Sequence, residues 1–116
     1  PWTDSVDAKD VHAAPADAFA NPPMATVKTD RLDFAGYGKF ATGVPATKFA
    51  TVAETTLTLK PGEWIFSLTT DDGARLFVDD RLVWESWKYQ GPTGYDIPWT
   101  SDGKPHRVRI EHFQID

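Results

Sequence analysis

Residues 57–87 read LTLKPGEWIFSLTTDDGARLFVDDRLVWESW, and their apolar side chains recur at every second position. Between Glu63 and Thr70, Trp64, Phe66 and Leu68 fall on one face, with Glu63, Ser67 and Thr69 on the other. Between Ala74 and Asp79, Ala74, Leu76 and Val78 point one way, while Arg75 and Asp79 point the other. A period of two is the geometry of a half-buried strand, because successive side chains leave opposite faces of the pleat. The breaks carry turn chemistry: Pro61-Gly62, Asp71-Asp72-Gly73 and Asp79-Asp80.

The same pattern extends outward. In KFATVAETTLTLK, residues 48–60, Phe49, Thr51, Ala53, Thr55, Leu57 and Leu59 share a face, and the threonine content suits a strand. In RLVWESW, Trp84 shares a face with Leu82 and is expected in the core. Residues 88–105 hold three Gly and three Pro and read as a looser stretch. HRVRIEHFQI closes the chain, with Val108 and Ile110 inward between Arg107, Arg109 and Glu111. No apolar spacing of i, i+3, i+4, i+7 occurs past residue 26. Short strands separated by regular turns predict an all-β fold, an antiparallel sandwich or jelly-roll-like barrel, over residues 27–116. Residues 1–26, with seven Ala, four Pro and four Asp, read as a lead-in or strap in which Val6–Val11 offers one helical turn at most.

Composition narrows the function. The 116 residues carry net charge −5, the wrong sign for a nucleic-acid binder. Absence of cysteine excludes disulfides, zinc–thiolate centres and thiol nucleophiles. No apolar run is long enough to cross a membrane as a helix. Met24 is the sole methionine, so a processed protein or a piece of a longer one is expected. No G-x-S-x-G, H-E-x-x-H, phosphate-binding loop or G-x-G-x-x-G is present, and no catalysis is expected. His106 and His112 are six residues apart in one strand, roughly 20 Å, and cannot hold one ion together.

Two features stand out. Asp71-Asp72-Gly73 joins two strong strands, and a hairpin there needs only one aspartate. Neighbouring carboxylates point apart in extended backbone, so only a distorted or cis peptide would aim both at one hard cation such as Ca²⁺. The second feature is a concentration of Trp84, Trp87, Tyr89, Tyr95 and Trp99 within 16 positions. Such rings offer a flat apolar face with a polar handle. Trp87, Tyr89 and Tyr95 are expected to form a platform for sugar C–H faces, with Tyr89 and Tyr95 in the Gly/Pro-rich loop. Sealing one end of the sandwich is the alternative role for these rings.

The order of motifs from Thr55 to Phe113 resembles the protective-antigen-type domain, a β-sandwich module. The resemblance rests on Thr70-Asp71-Asp72-Gly73, on Leu76-Phe77-Val78-Asp79 and on Leu82-Val83-Trp84 through Trp87. It is completed by the Gly103-Lys104 turn before the basic strand ending at Phe113. The family occurs in glycosidases, adhesins and toxins, mostly as a non-catalytic module. In its flocculin-like adhesins the aspartate pair, joined by a cis peptide, holds Ca²⁺ that ligates sugar hydroxyls. The resemblance therefore implies Asp71 and Asp72 as metal and ligand residues. The adhesins' second ion-binding loop supplies an Asn. This chain's only Asn is Asn21, so Glu85, Gln90, Asp96 or carbonyls would take that part. Family members usually add a closing strand beyond the one at Phe113, so a shortened sheet or one completed by another part of the parent is expected.

These features together predict a carbohydrate-binding module of a secreted, periplasmic or cell-surface protein, Ca²⁺-dependent through Asp71 and Asp72. Trp87, Tyr89, Gln90 and Tyr95 would line its site, and a glycan and neighbouring domains of a parent protein would be its partners. The alternative is a structural or protein-interaction domain without a sugar site.

Overall fold

The computed structural model describes residues 49–115 together with Phe19, Pro23, Thr26 and Lys28. The expectations for the rest of residues 1–48, including the turn at Val6–Val11, lie outside the described residues.

Six strands follow in order: β1 Phe49–Thr58, β2 Gly62–Thr70, β3 Ala74–Val78, β4 Arg81–Ser86, β5 Thr93–Ser101 and β6 Pro105–Gln114. They form a four-stranded sheet ordered β1-β6-β3-β4 and a two-stranded sheet β2-β5, antiparallel throughout. The described residues contain no helix. The predicted all-β antiparallel architecture is the one observed.

The two sheets meet over Leu76 and Val108 from one layer and Ile97 from the other, all buried. Leu57, Trp84 and Ile110 join them from the larger sheet, and Phe66 and Leu68 from the smaller. Each such side chain fully removed from water contributes about 1.5–3 kcal/mol. A second cluster, of Phe113 and Ile115 with Ala50 and Trp87 against them, closes one end of the larger sheet. The outer face of that sheet is laced by ion pairs: Arg107–Glu54 at 2.9 Å, Arg109–Glu111 at 2.6 Å and Arg75–Glu85 at 3.2 Å.

Three local expectations are corrected. Asp71-Asp72-Gly73 closes no hairpin, because β2 and β3 lie in different sheets and the turn carries the chain between layers. Leu82 does not share a face with Trp84. Leu76 faces Trp84 and Phe77 faces Leu82, so Val83 is an extra, bulged residue. Trp84 packs inward as expected, while Leu82 is half exposed. Thirdly, the stretch 88–105 contains all of β5, including Tyr95 and Pro98. Proline is tolerated there because β5 pairs only with β2 among the described residues, which makes it edge-like.

The β3–β4 connection is a two-residue hairpin turn with φ of +51° at Asp79 and +64° at Asp80. Both central residues being left-handed marks the turn whose twist matches the strands, and aspartate tolerates it. Asp79 is tied further to His106. The His106 ring lies 2.5 Å from an Asp79 carboxylate oxygen through Nδ1 and 2.7 Å from Asp102 through Nε2. It therefore clips the β3–β4 turn to the β5–β6 turn. Hydrogen bonds donated by its ring to Asp102, and then to Asp79, raise the His106 pKa above its ordinary 6.5. The same bonds hold both carboxyls below 3.8.

This clip contributes stability fully below pH 6.5 and loses it as the pH rises through the raised histidine value. It also loses it in acid, as the two carboxylates protonate below their ordinary 3.8. His112 opposes it: burial lowers its pKa, so its contribution falls as the pH drops below 6.5. Raising the pH from about 5.5 to 8 is expected to lower the melting temperature more in the wild type than in His106→Gln. Equal pH profiles for the two proteins, measured by circular dichroism, would refute the clip.

Candidate functional site

The site expected from the sequence centres on the turn between β2 and β3. Its Asp71–Asp72 peptide is not cis. Asp72 adopts φ +62°, a left-handed conformation that Asp tolerates better than most side chains. That geometry turns its side chain inward, to 0% exposure. One carboxylate oxygen accepts the Gln90 backbone N–H at 3.2 Å, and the other accepts the Ile115 N–H at 2.7 Å. The backbone of Asp72 pairs with the same loop. Its N–H donates to the Gln90 carbonyl at 2.7 Å, and its carbonyl accepts from Gln90 Nε2 at 2.8 Å. Leaving one such buried group unsatisfied costs about 1–3 kcal/mol.

Asp71 is half buried, and its carbonyl accepts from His112 Nε2 at 3.0 Å. Burial lowers the His112 pKa, and its ring lies with Nδ1 3.3 Å from the Thr51 hydroxyl and steeply inclined to the Phe49 ring. The Asp71 carboxylate has no hydrogen bond or ion pair among the described residues. Gly73 follows directly under the ring of Phe113, whose N–H donates to the Gly73 carbonyl at 2.9 Å.

The aromatic residues divide. The Trp87 ring carries the Arg75 guanidinium 3.8 Å from its centroid and meets the Phe113 ring edge at 4.7 Å. Phe19 approaches Trp87 with their ring centroids 6.1 Å apart. The Tyr95 ring is tilted against that of Trp84 with centroids 4.7 Å apart, and its hydroxyl donates to Gln90 Oε1 at 2.7 Å and lies 3.1 Å from Ser86 Oγ. Tyr89, one position from Gln90, is 44% exposed. Trp87, Gln90 and Tyr95, each half-buried, are thus engaged by contacts within the fold, while the half-buried Asp71 and the exposed Tyr89 lie at the rim.

The calcium reading needs both carboxylates directed at one point, with a further oxygen ligand from the second loop. This donor set does not fit that requirement. Asp72 directs its two oxygens to backbone amides, Glu85 pairs with Arg75, and Asp96 accepts from Ser67 Oγ at 3.0 Å. Among the described residues no group of three or more His, Asp or Glu converges on a metal position.

Gln90 is among the residues expected at the site, whereas His112 and Ile115 as partners of the turn carry no signal in the sequence. They lie 41 residues from Asp71 and 43 from Asp72, and reach the turn through a ring nitrogen and a backbone amide.

Residues 9–116 match the family model described as the PA14 domain. The chain belongs to the PA14 family. The PA14 match begins inside the lead-in and runs across the boundary expected between residues 26 and 27. Among solved structures the PA14 chain is similar to one titled "anti-sigma factor domain-containing protein", at 23% identity and a TM-score of 0.59. The alignment covers 69% of this chain and 29% of that one, and at such identity the likeness concerns the fold alone. Curated proteins contain no match to this PA14 chain.

Proposed function

We propose that this PA14 domain is a non-catalytic carbohydrate-binding module of a larger secreted, periplasmic or cell-surface protein. The observation that carries the reading is the double pairing of Asp72 with Gln90. It holds the loop bearing the exposed Tyr89 ring against the turn bearing the Asp71 carboxylate. A ring face suits the C–H side of a sugar and a carboxylate accepts from its hydroxyls. Holding both in place before binding lowers the ordering cost of a shallow site.

On a glycan array the wild type is expected to retain at least one polysaccharide class. Tyr89→Ala should weaken that binding by roughly tenfold or more, the equivalent of about 1.4 kcal/mol. Its melting temperature should stay within a few degrees of wild type, since the ring is at the surface. An empty array, or retention equal in Tyr89→Ala, would sink the proposal. The second reading is a structural or protein-interaction domain. It is favoured by the inward contacts of Trp87, Gln90 and Tyr95, and it would gain from that empty array.

A further inference from the structure

Three segments far apart in the chain converge on one side chain. The turn at residues 71–73 supplies Asp72, the connection after β4 supplies Gln90, and the residue just past β6 is Ile115. Here the two carboxylate oxygens of Asp72 lie within hydrogen-bonding distance of one backbone amide from each of the other two segments. We propose that the Asp72 carboxylate is this domain's own crosslink, fastening the site loop and the end of β6 to the turn without a divalent cation. The inference does not depend on whether the rim binds sugar.

The chemistry requires a carboxylate at this position. Two N–H donors arrive from different directions, and each needs an acceptor with no hydrogen of its own. Asparagine would keep the shape and tolerate the left-handed φ, but its NH₂ would oppose one of the two amides. Asp72→Asn therefore removes the crosslink while sparing the backbone. Asp71→Asn is the counterpart, because the Asp71 carboxylate has no partner among the described residues. An ion-binding pair would need both aspartates equally, whereas the crosslink needs Asp72 alone.

The test compares melting temperatures of the wild type in EDTA and in millimolar CaCl₂, with amide hydrogen exchange at Gln90 and Ile115 in each variant. We expect the same wild-type midpoint in both solutions. Asp72→Asn should lower it by roughly 8 °C or more, while Asp71→Asn should leave it within a few degrees. Exchange at Gln90 and Ile115 should accelerate at least about tenfold in Asp72→Asn alone. A wild-type midpoint that rises with CaCl₂ and falls with EDTA would overturn the proposal, because a ligand of the folded state must stabilise it. Unchanged protection of both amides in a folded Asp72→Asn protein would overturn it as well. Should that variant fail to fold, the wild-type comparison still decides, since it needs no substitution.

Discussion

Gly73→Ala is expected to destabilise the domain by about 3 kcal/mol or more, a large share of the ~5–15 kcal/mol that holds a domain of this size. The cause is space and not backbone freedom. Among the described residues the left-handed ones are Gly62, Asp72, Asp79, Asp80 and Gly103, and Gly73 is not one of them. A Cβ on Gly73 would fall 2.8 Å from both Cδ1 and Cζ of Phe113, and closer still to Cε1. The ring is fully buried and shares its cluster with Ile115 and Trp87, so it cannot swing aside without opening that cluster. The melting temperature should fall by roughly 10 °C or more. Gly91→Ala is the control, because a Cβ there meets nothing within 4 Å, and its midpoint should hold. Phe113→Leu combined with Gly73→Ala should cost less than the sum of the two single changes, since both act on one volume. Additive losses in that double-mutant cycle, or a Gly73→Ala midpoint like that of wild type, would contradict the packing described.

Phe113→Ala should cost about 3–5 kcal/mol, the usual range for removing a buried phenylalanine and leaving a cavity. The side chain is 0% exposed and touches the turn through Gly73 and the aromatic end through Trp87. Its loss would withdraw one wall from Trp87, so the folded variant's tryptophan emission should shift to longer wavelength. Phe77→Ala offers the contrast. Phe77 is on the outer face of the larger sheet, half-buried near the Arg109 guanidinium, and should cost less than Phe113. Equal losses at the two positions would mean that the end cluster is not a second core.

These effects also show which parts of the molecule could be read in one dimension. The inward faces of β2, β3 and β6 follow from alternation, and Phe66, Leu68, Leu76, Val108 and Ile110 pack where the pattern places them. Where alternation breaks, the reading broke with it. The bulge at Val83 turns Leu82 to the other side of the sheet without any mark in the residues around it. The Gly and Pro content of residues 88–105 hid β5, because an edge-like strand tolerates a proline that a central strand would not. At the site, Asp71 and Asp72 were visible as an unusual pair, and Tyr89 stands exposed as its surroundings suggested. The work done by Asp72 was not visible, since its acceptors serve amides 18 and 43 residues away.

Residue order alone settled the strand period, the turn positions, the absence of thiol chemistry and the order of motifs shared with the PA14 family. These are local properties: side-chain alternation, turn propensity and composition act over a few neighbours. Only the tertiary structure decided that the Asp-Asp-Gly turn crosses between sheets and that one aspartate points into the fold while its neighbour stays at the rim. It also decided that Trp87, Gln90 and Tyr95 are held by internal contacts. Those outcomes depend on which distant donors the packing brings within about 3 Å and which ring centroids within about 7 Å, and hydrogen bonds and ring contacts have little reach beyond that.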